Sequence, residues 1–460
     1  MEKIINDALL FGNRIALVAT IKHLKKGKNV KNWISKVFGI QKGEWALLLL
    51  STGFVFVLFS AYSILRPMRD ALGLEGGKDE LRWLFLATFI ACILASLLLM
   101  WLATRVKRRF YTDYVFLFFA FNLTVFYVLM NALTHESPAF VWLCRAFFVW
   151  VSIFNLFAFS SAWSLIADVF NKEKSQRLFG IISAGASLGA VFGAAATKML
   201  VNILGASNLV FVAIALLIVA VILKNLILQR LKHFESEKTL ARFDETIGAK
   251  NPFAGFSLIF KSQYLMLLAG FVFLLTCVST FLYMEQARIV QEFFPTRDAR
   301  IAAFANIDLI VQSASLMIQI FLTAKIAKYF GMEWLLGSVG FLIAIGLVFL
   351  AMVHPAFWPL VVVMSLRRIG EYAFVKPGRE MLFVPLGADE KYKVKNFVDA
   401  VVYRAGDAIS AQAEALLAQI SMVMVLLSGA AISALWGFLG LRLSRLYKKY
   451  SDENNSKIPR

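Results

Sequence analysis

Two consecutive apolar stretches carry charges that a membrane span should not hold. Arg367, Arg368, Glu371, Lys376 and Arg379 lie between Val361 and Met381, and Asp399, Arg404, Asp407 and Glu414 lie between Asn396 and Gln419. At mid-bilayer each charge costs about 2.5–3.5 kcal/mol on insertion scales, so such groups pair with one another or face a water-filled cavity. On a helix turning about 100° per residue, Asn396, Asp399, Tyr403, Asp407, Ser410 and Glu414 share one face, with Arg404 at its edge. That face suits two chemistries: guanidinium groups that hold an anion, and carboxylates that take up protons or close gates as ion pairs. The alternative is a helix pair tied by local ion pairs, Arg367 with Glu371 and Arg404 with Asp407.

Earlier in the chain, residues Ile64 to Asp70 contain Arg66, Pro67 and Arg69. Pro67 is expected to break or kink the helix, freeing backbone groups that need protein or water nearby. Arg66 and Arg69 then form either a cavity-facing pair suited to bidentate capture of phosphate or carboxylate, or a basic anchor at the membrane interface. Asp308 lies deep in another apolar run with no basic neighbour in sequence, which makes it the better coupling carboxylate. Glu285 and Arg288 read equally as an i, i+3 pair and as site residues. Gly185, Gly189 and Gly193 recur at helical spacing with no strand before them, so close helix packing explains them and nucleotide binding does not.

These residues must be positioned by membrane helices. The chain is 60% hydrophobic and 14% aromatic with 17% charged residues, the balance of an integral membrane protein. Its formal net charge of +19 gathers in the loops, which membrane orientation explains without nucleic acid. Cys92, Cys144 and Cys277 sit in apolar runs and offer neither a disulfide framework nor a metal-ligand spacing. His23, His135, His233 and His354 fall in loops or at span ends, so coupling is expected to rest on carboxylates. The sequence carries no Walker A motif, zinc helix or nucleophile elbow, and no cofactor, metal or enzymatic activity is expected.

Twelve segments reach spanning length: 45–66, 81–103, 112–133, 140–168, 177–203, 207–229, 264–291, 300–324, 332–353, 356–384, 395–419 and 420–441. The eleventh is the weakest by hydropathy, and a re-entrant course for it would leave eleven. Basic clusters around Arg105 to Arg109, Lys172 to Arg177, Lys325 to Lys328 and Lys391 to Lys395 mark the cytoplasmic side, together with both termini. The predicted division is a basic N-terminal segment 1–44, a six-helix half 45–229, a cytoplasmic linker 230–263, a second half 264–441 and a tail 442–460. Weak internal repeats support the halves: Leu102 to Phe110 parallels Leu322 to Phe330, and Glu173 to Gly189 parallels Glu390 to Gly406.

The segment from Ile64 through Arg66, Pro67, Met68, Arg69 and Asp70 to Leu72 resembles the first-span signature of the ATP/ADP translocases of plastids and intracellular bacterial parasites. Phe170 and Asn171, Glu173 and Lys174, Arg177 to Phe179, and Gly185 with Ala186 are similar to the same family. The resemblance extends thinly over all spans and implies a major-facilitator-like fold, with nucleotide exchange as one activity. It implies that Arg69 stands where that family has a phosphate-binding lysine. The chain departs from the pattern at that lysine and at Pro67, which replaces an acidic residue. A further acidic residue of span four is missing, with Ser152 and Asn155 nearby. Arg368, Glu371, Arg379, Asp399 and Arg404 are more similar to a sister group of bacterial transporters.

The expectation is an all-α membrane protein of twelve helices in two six-helix pseudo-repeats. It would act as a secondary transporter that moves an organic anion by alternating access, with nucleotide exchange as the leading form. Arg66, Arg69, Arg368, Arg404 and Tyr403 are the predicted anion-binding residues, and Asp308, Glu371, Asp399 and Asp407 the predicted coupling or gating carboxylates. The cavity is expected between spans one, four, seven, eight, ten and eleven. The partners implied are the anion, protons and membrane lipids, in a bacterial inner membrane. A proton-coupled exporter of a metabolite, peptide or siderophore-like compound is the second transporter reading, and a membrane receptor or lipid scramblase the reading of another class.

Overall fold

Backbone amides and carbonyls in hydrocarbon must bond to one another, so apolar runs of this length fold as helices. The computed structural model describes residues 40–41, 44–170, 172–232, 241, 243–246, 256–320, 324–383, 386, 393–395 and 397–456. It is an all-α, multi-pass membrane protein. In chain order the helices are α1 Glu44–Leu72, α2 Leu81–Arg105, α3 Arg108–Ala132, α4 Pro138–Val169, α5 Lys172–Leu231 and α6 Gln263–Phe293. There follow α7 Arg297–Ile318, α8 Ala324–Val353, α9 Phe357–Gly370, α10 Lys376–Leu382, α11 Tyr403–Ala418 and α12 Met422–Ser456.

Among the described residues nine helices are long and apolar enough to cross a membrane. One of them, α5, is broken at Gly205 (φ 77°, ψ 165°), so it carries both the fifth and the sixth expected spans. The expected tenth and eleventh spans, α9–α10 and α11, fall outside the nine. Their charges lower their hydropathy, and five of those charges, Arg367, Arg368, Glu371, Asp407 and Glu414, are buried inside the bundle. The expected N-terminal segment lies almost wholly outside the described residues, as do much of the linker and the loop around Lys391. Residues 243–246 of the linker dock on the α2–α3 turn. There Arg109 pairs with Asp244 at 3.0 Å, and the Arg108 amide donates to the Glu245 carbonyl at 2.9 Å.

Small residues set the helix spacing. A β-carbon added to Gly189 of α5 would stand 2.2 Å from the Phe56 carbonyl oxygen, and one on Gly193 would stand 2.4 Å from that of Ser60, so α1 and α5 touch backbone to backbone. Ser60 Oγ donates to the Gly189 carbonyl at 3.1 Å across this seam. A glycine also sets the approach of α11 to α6, where a β-carbon on Gly406 would meet the Thr276 side chain, with Oγ1 at 2.1 Å. Thr276 follows Phe56 by 220 residues and Gly406 follows Gly189 by 217, nearly one common offset. Helices α8 and α12 also meet at glycines, Gly340 against Gly437.

Two features differ from expectation in the helices that carry the charges. Helix α1 is not broken at Pro67, one of the outcomes expected there, but runs through it to Leu72. Pro67 is buried, and in a packed membrane helix neighbouring groups absorb the missing hydrogen bond. The Arg69 and Asp70 side chains are largely enclosed by protein, 13% and 6% exposed. Second, residues 371–375 and 398–402 form π-helical turns, in which Lys376 N donates to the Glu371 carbonyl and Tyr403 N to the Val398 carbonyl. Each wide turn re-aims the side chains around it, and such turns recur at functional sites.

Candidate functional site

The charged helices enclose a cavity of about 370 Å³ in the middle of the bundle. Helix α1 contributes Tyr62, Arg66 and Arg69; α4 contributes Asn155; α6 contributes Ser279, Thr280 and Tyr283. From α9, the π turn and α10 come Arg367, Glu371, Tyr372, Lys376 and Arg379, and from the following segment come Asp399, Tyr403, Arg404 and Asp407. A second chamber of about 310 Å³ shares Tyr62, Arg66, Asn155, Tyr372 and Lys376 with the first and extends between α5 and α7 past Ala186, Gln312 and Gln319.

Six cations and three carboxylates line the first chamber: Arg66, Arg69, Arg367, Lys376, Arg379 and Arg404 against Glu371, Asp399 and Asp407. The carboxylates hold local partners. Arg367 Nη1 donates to Glu371 Oε2 at 2.8 Å, Arg379 Nη1 lies 3.1 Å from Asp399, and Arg404 Nη1 lies 3.5 Å from Asp407. Thr280 also donates to Asp407, at 3.0 Å. Both local pairs of the alternative reading thus form, and they form inside the cavity wall. Lys376 sits 4.0 Å from the Tyr372 ring centroid, a cation–π contact.

The α1 residues reach across to the other helices. Arg69 donates to Asp70 at 2.6 Å and to Ser152 Oγ at 3.4 Å, with its guanidinium 4.9 Å from the Phe148 ring centroid. Asp70 in turn accepts from Tyr283 of α6 at 2.9 Å. Asp308 of α7 binds Arg368 at 2.5 Å and lies 3.9 Å from Arg66, so two cations distant in sequence flank a carboxylate that looked isolated there.

Of the predicted residues, Arg66, Arg69, Arg404, Tyr403, Glu371, Asp399 and Asp407 meet at the cavity, whereas Arg368 and Asp308 stand behind its wall. Arg368 is expected at the anion but is 2% exposed and turned onto Asp308, because successive residues on a helix diverge by about 100° and Arg367 takes the cavity side. Span eight, expected to line the central chamber, instead lines the second one. Sequence reasoning named Arg367, Lys376, Arg379 and Asn155 without selecting them, and it missed Tyr62 and Tyr372. Charge at membrane depth marks the first three; the polar aromatics carry no such signal.

A model of the Major Facilitator Superfamily matches residues 29–375. The chain belongs to the Major Facilitator Superfamily. No curated protein sequence matches it. Among solved structures it is similar to a POT family transporter in complex with 5-aminolevulinic acid (TM-score 0.63, 11% identity, covering 86% of this chain and 96% of that one). It is also similar to a bacterial homologue of the iron transporter ferroportin in an inward-facing state (0.61, 13%, 88% and 99%). A third is the nucleoside transporter NupG (0.56, 12%, 88% and 98%). At these identities the likeness shows the fold alone. Major-facilitator proteins are transporters and not enzymes, and they move small molecules across a membrane by alternating access. Neither the family model nor these structures single out the ATP/ADP translocases.

Proposed function

We propose that this transporter carries an organic anion, with nucleotide exchange as its leading activity. The observation that carries the reading is the excess of cations on the cavity wall, six against three carboxylates. Water-poor walls strengthen such an excess, and planar guanidinium groups offer paired donors to carboxylate or phosphate. Tyr62, Phe85, Tyr283, Tyr372 and Tyr403 interleave with the cations and supply faces for an aromatic or sugar moiety. In this reading Arg66, Arg69 and Arg404 hold the anion with Tyr403, and Arg367, Lys376 and Arg379 join them. Arg368 acts at one remove by holding Asp308. Glu371, Asp399 and Asp407 release their arginines as the anion arrives. Those cavity carboxylates also support the second reading, proton-coupled export.

The proposed frame is twelve spans in two parallel six-helix halves, 45–229 and 264–441, joined by 230–263, in a bacterial inner membrane with both termini cytoplasmic. Gly205 dividing α5, the recurrence of the α1–α5 contact at α6–α11, and the basic loops support it. Contacts between α1–α2 and α6–α7 gather at the end away from those loops. There Arg297 lies 3.1 Å and Arg300 3.7 Å from Glu75, and Gln291 donates to the Leu74 carbonyl at 3.3 Å. These ties would have to break for the cavity to open on that side. Uptake into proteoliposomes, screened with nucleotides and other organic anions and with neutral analogues, with and without counter-substrate and a pH gradient, tests the proposal. Transport of neutral analogues in preference to anions would overturn it.

A further inference from the structure

The second chamber differs in chemistry from the first. Among the described residues that line it the charges are Arg66 and Lys376, and both also line the first chamber. Beyond them the polar wall is uncharged: Asn155 of α4, Ser187 of α5, and Gln312, Ser315 and Gln319 from α7 and its C-terminal cap. Apolar ring surface completes it, with Phe59 stacked on Phe159 at 4.2 Å between centroids and Tyr62 edge-on to Phe159 at 5.1 Å.

Part of this polar wall is held by protein and part is left without a partner. Asn155 Nδ2 donates to the Tyr62 hydroxyl at 2.9 Å and Gln319 Nε2 to the Tyr372 carbonyl at 3.0 Å, which orients both amides. Ser315 is 2% exposed, and its Oγ is buried on the chamber wall with no hydrogen-bond partner. A buried hydroxyl left unpaired is costly, and a ligand atom that bonds to it recovers that cost on binding. A solute that spans both chambers is therefore constrained at each end. Its anionic group belongs at the boundary, where Arg66 and Lys376 serve both sides. A second anionic group farther in would lie beyond those two cations, and a cationic one would meet no carboxylate among the described lining residues, so either would be a buried charge without a partner. An apolar tail would leave Ser315 and the amides unsatisfied.

We propose that the second chamber is a subsite for an uncharged, hydroxyl-bearing end of the substrate, with Ser315 and Gln312 of α7 as specificity residues. This assignment, which rests on the organic-anion reading, narrows the substrate to a two-part solute. One end is anionic and lies at Arg66 and Lys376; the other is neutral and polar, a sugar ring or a comparable polyol, and lies along α7 against the Phe59 and Phe159 rings. Compact inorganic anions, anions with apolar tails and anions charged at both ends fit less well.

Isothermal titration calorimetry of the purified protein in detergent micelles compares adenosine monophosphate and glucose monophosphate with three controls. Inorganic phosphate has no second end, hexyl phosphate has an apolar one, and fructose bisphosphate is charged at both. At least one of the two-part anions should bind about tenfold or more tightly than every control, as roughly two or three added hydrogen bonds would give. Ser315→Ala and Gln312→Ala should each weaken that anion about three- to tenfold and change inorganic phosphate by less than about twofold. Ser315→Ala should also keep its melting temperature, since the hydroxyl has no protein partner to lose. If a phosphate control matches the two-part anions, or the variants lose nothing or lose inorganic phosphate equally, the subsite is wrong while the organic-anion reading stands. Adenosine or glucose binding as tightly as its phosphate overturns the proposal through its anionic end, and the organic-anion reading with it. Binding by none of the phosphates overturns the proposal as well.

Discussion

Replacing Asp308 with Asn leaves Arg368, 2% exposed, without the carboxylate that stands 2.5 Å from it. Removing one partner of a buried pair costs about 3–5 kcal/mol, because the other charge stays buried and unpaired. Arg66 adds little to that cost. It lies 3.9 Å from Asp308 with 18% of its side chain exposed to the cavity, where water screens it, so its share is about 1 kcal/mol or less. Arg368→Met alone should destabilise similarly by stranding Asp308. The double variant Asp308→Asn/Arg368→Met removes both charges and should recover much of the loss, with a coupling of about 2–3 kcal/mol. Equilibrium unfolding in mixed micelles, followed by tryptophan fluorescence, measures all three variants on one scale. If the double variant loses the sum of the two single losses, the pair is not coupled and the placement of Arg368 against Asp308 is wrong.

Other outcomes follow from the same geometry. Gly189→Val should separate α1 from α5 and cost about 1–3 kcal/mol or more, whereas Gly180→Ala, with open space around it, should be neutral or mildly stabilising in the same unfolding assay. Arg69→Ala should weaken binding of the identified anion about tenfold to a hundredfold, and Arg69→Lys should retain part of it; equal binding by Arg69→Ala protein would remove Arg69 from the site. Cysteines placed at His135 and Lys391 should react with an impermeant thiol reagent from opposite faces of the membrane, and labelling of both from one face would refute the topology.

Much of the charged core of the site was legible in the sequence because ionised side chains in an apolar run have so few permitted environments. Arg66, Arg69, Arg404 and Asp407 could only pair or face water, and they do both. His354 shows the limit of that reasoning. At a span end it reads as a solvated loop residue, yet the turn after α8 folds it onto buried Glu285. Tyr62 and Tyr372 escaped for a different reason, since tyrosine is common in ordinary helix packing and its position in a membrane chain carries little cost to betray a role.

Hydropathy and loop charge by themselves determined the all-α membrane class, the places of most helices, and the charges that had to be buried, because the bilayer penalises every unsatisfied backbone group and every unpaired ion. The glycine stripe of α5 likewise announced a close helix contact, though not that α1 would fill it. Only the tertiary structure decided which charge answers which. Asp308 meets Arg66 and Arg368 from other helices, and Arg367 and not Arg368 reaches the cavity. Partners far apart in the chain are brought together by packing, and a helical register shifted by π turns redirects side chains in a way that a uniform 3.6-residue repeat does not reveal.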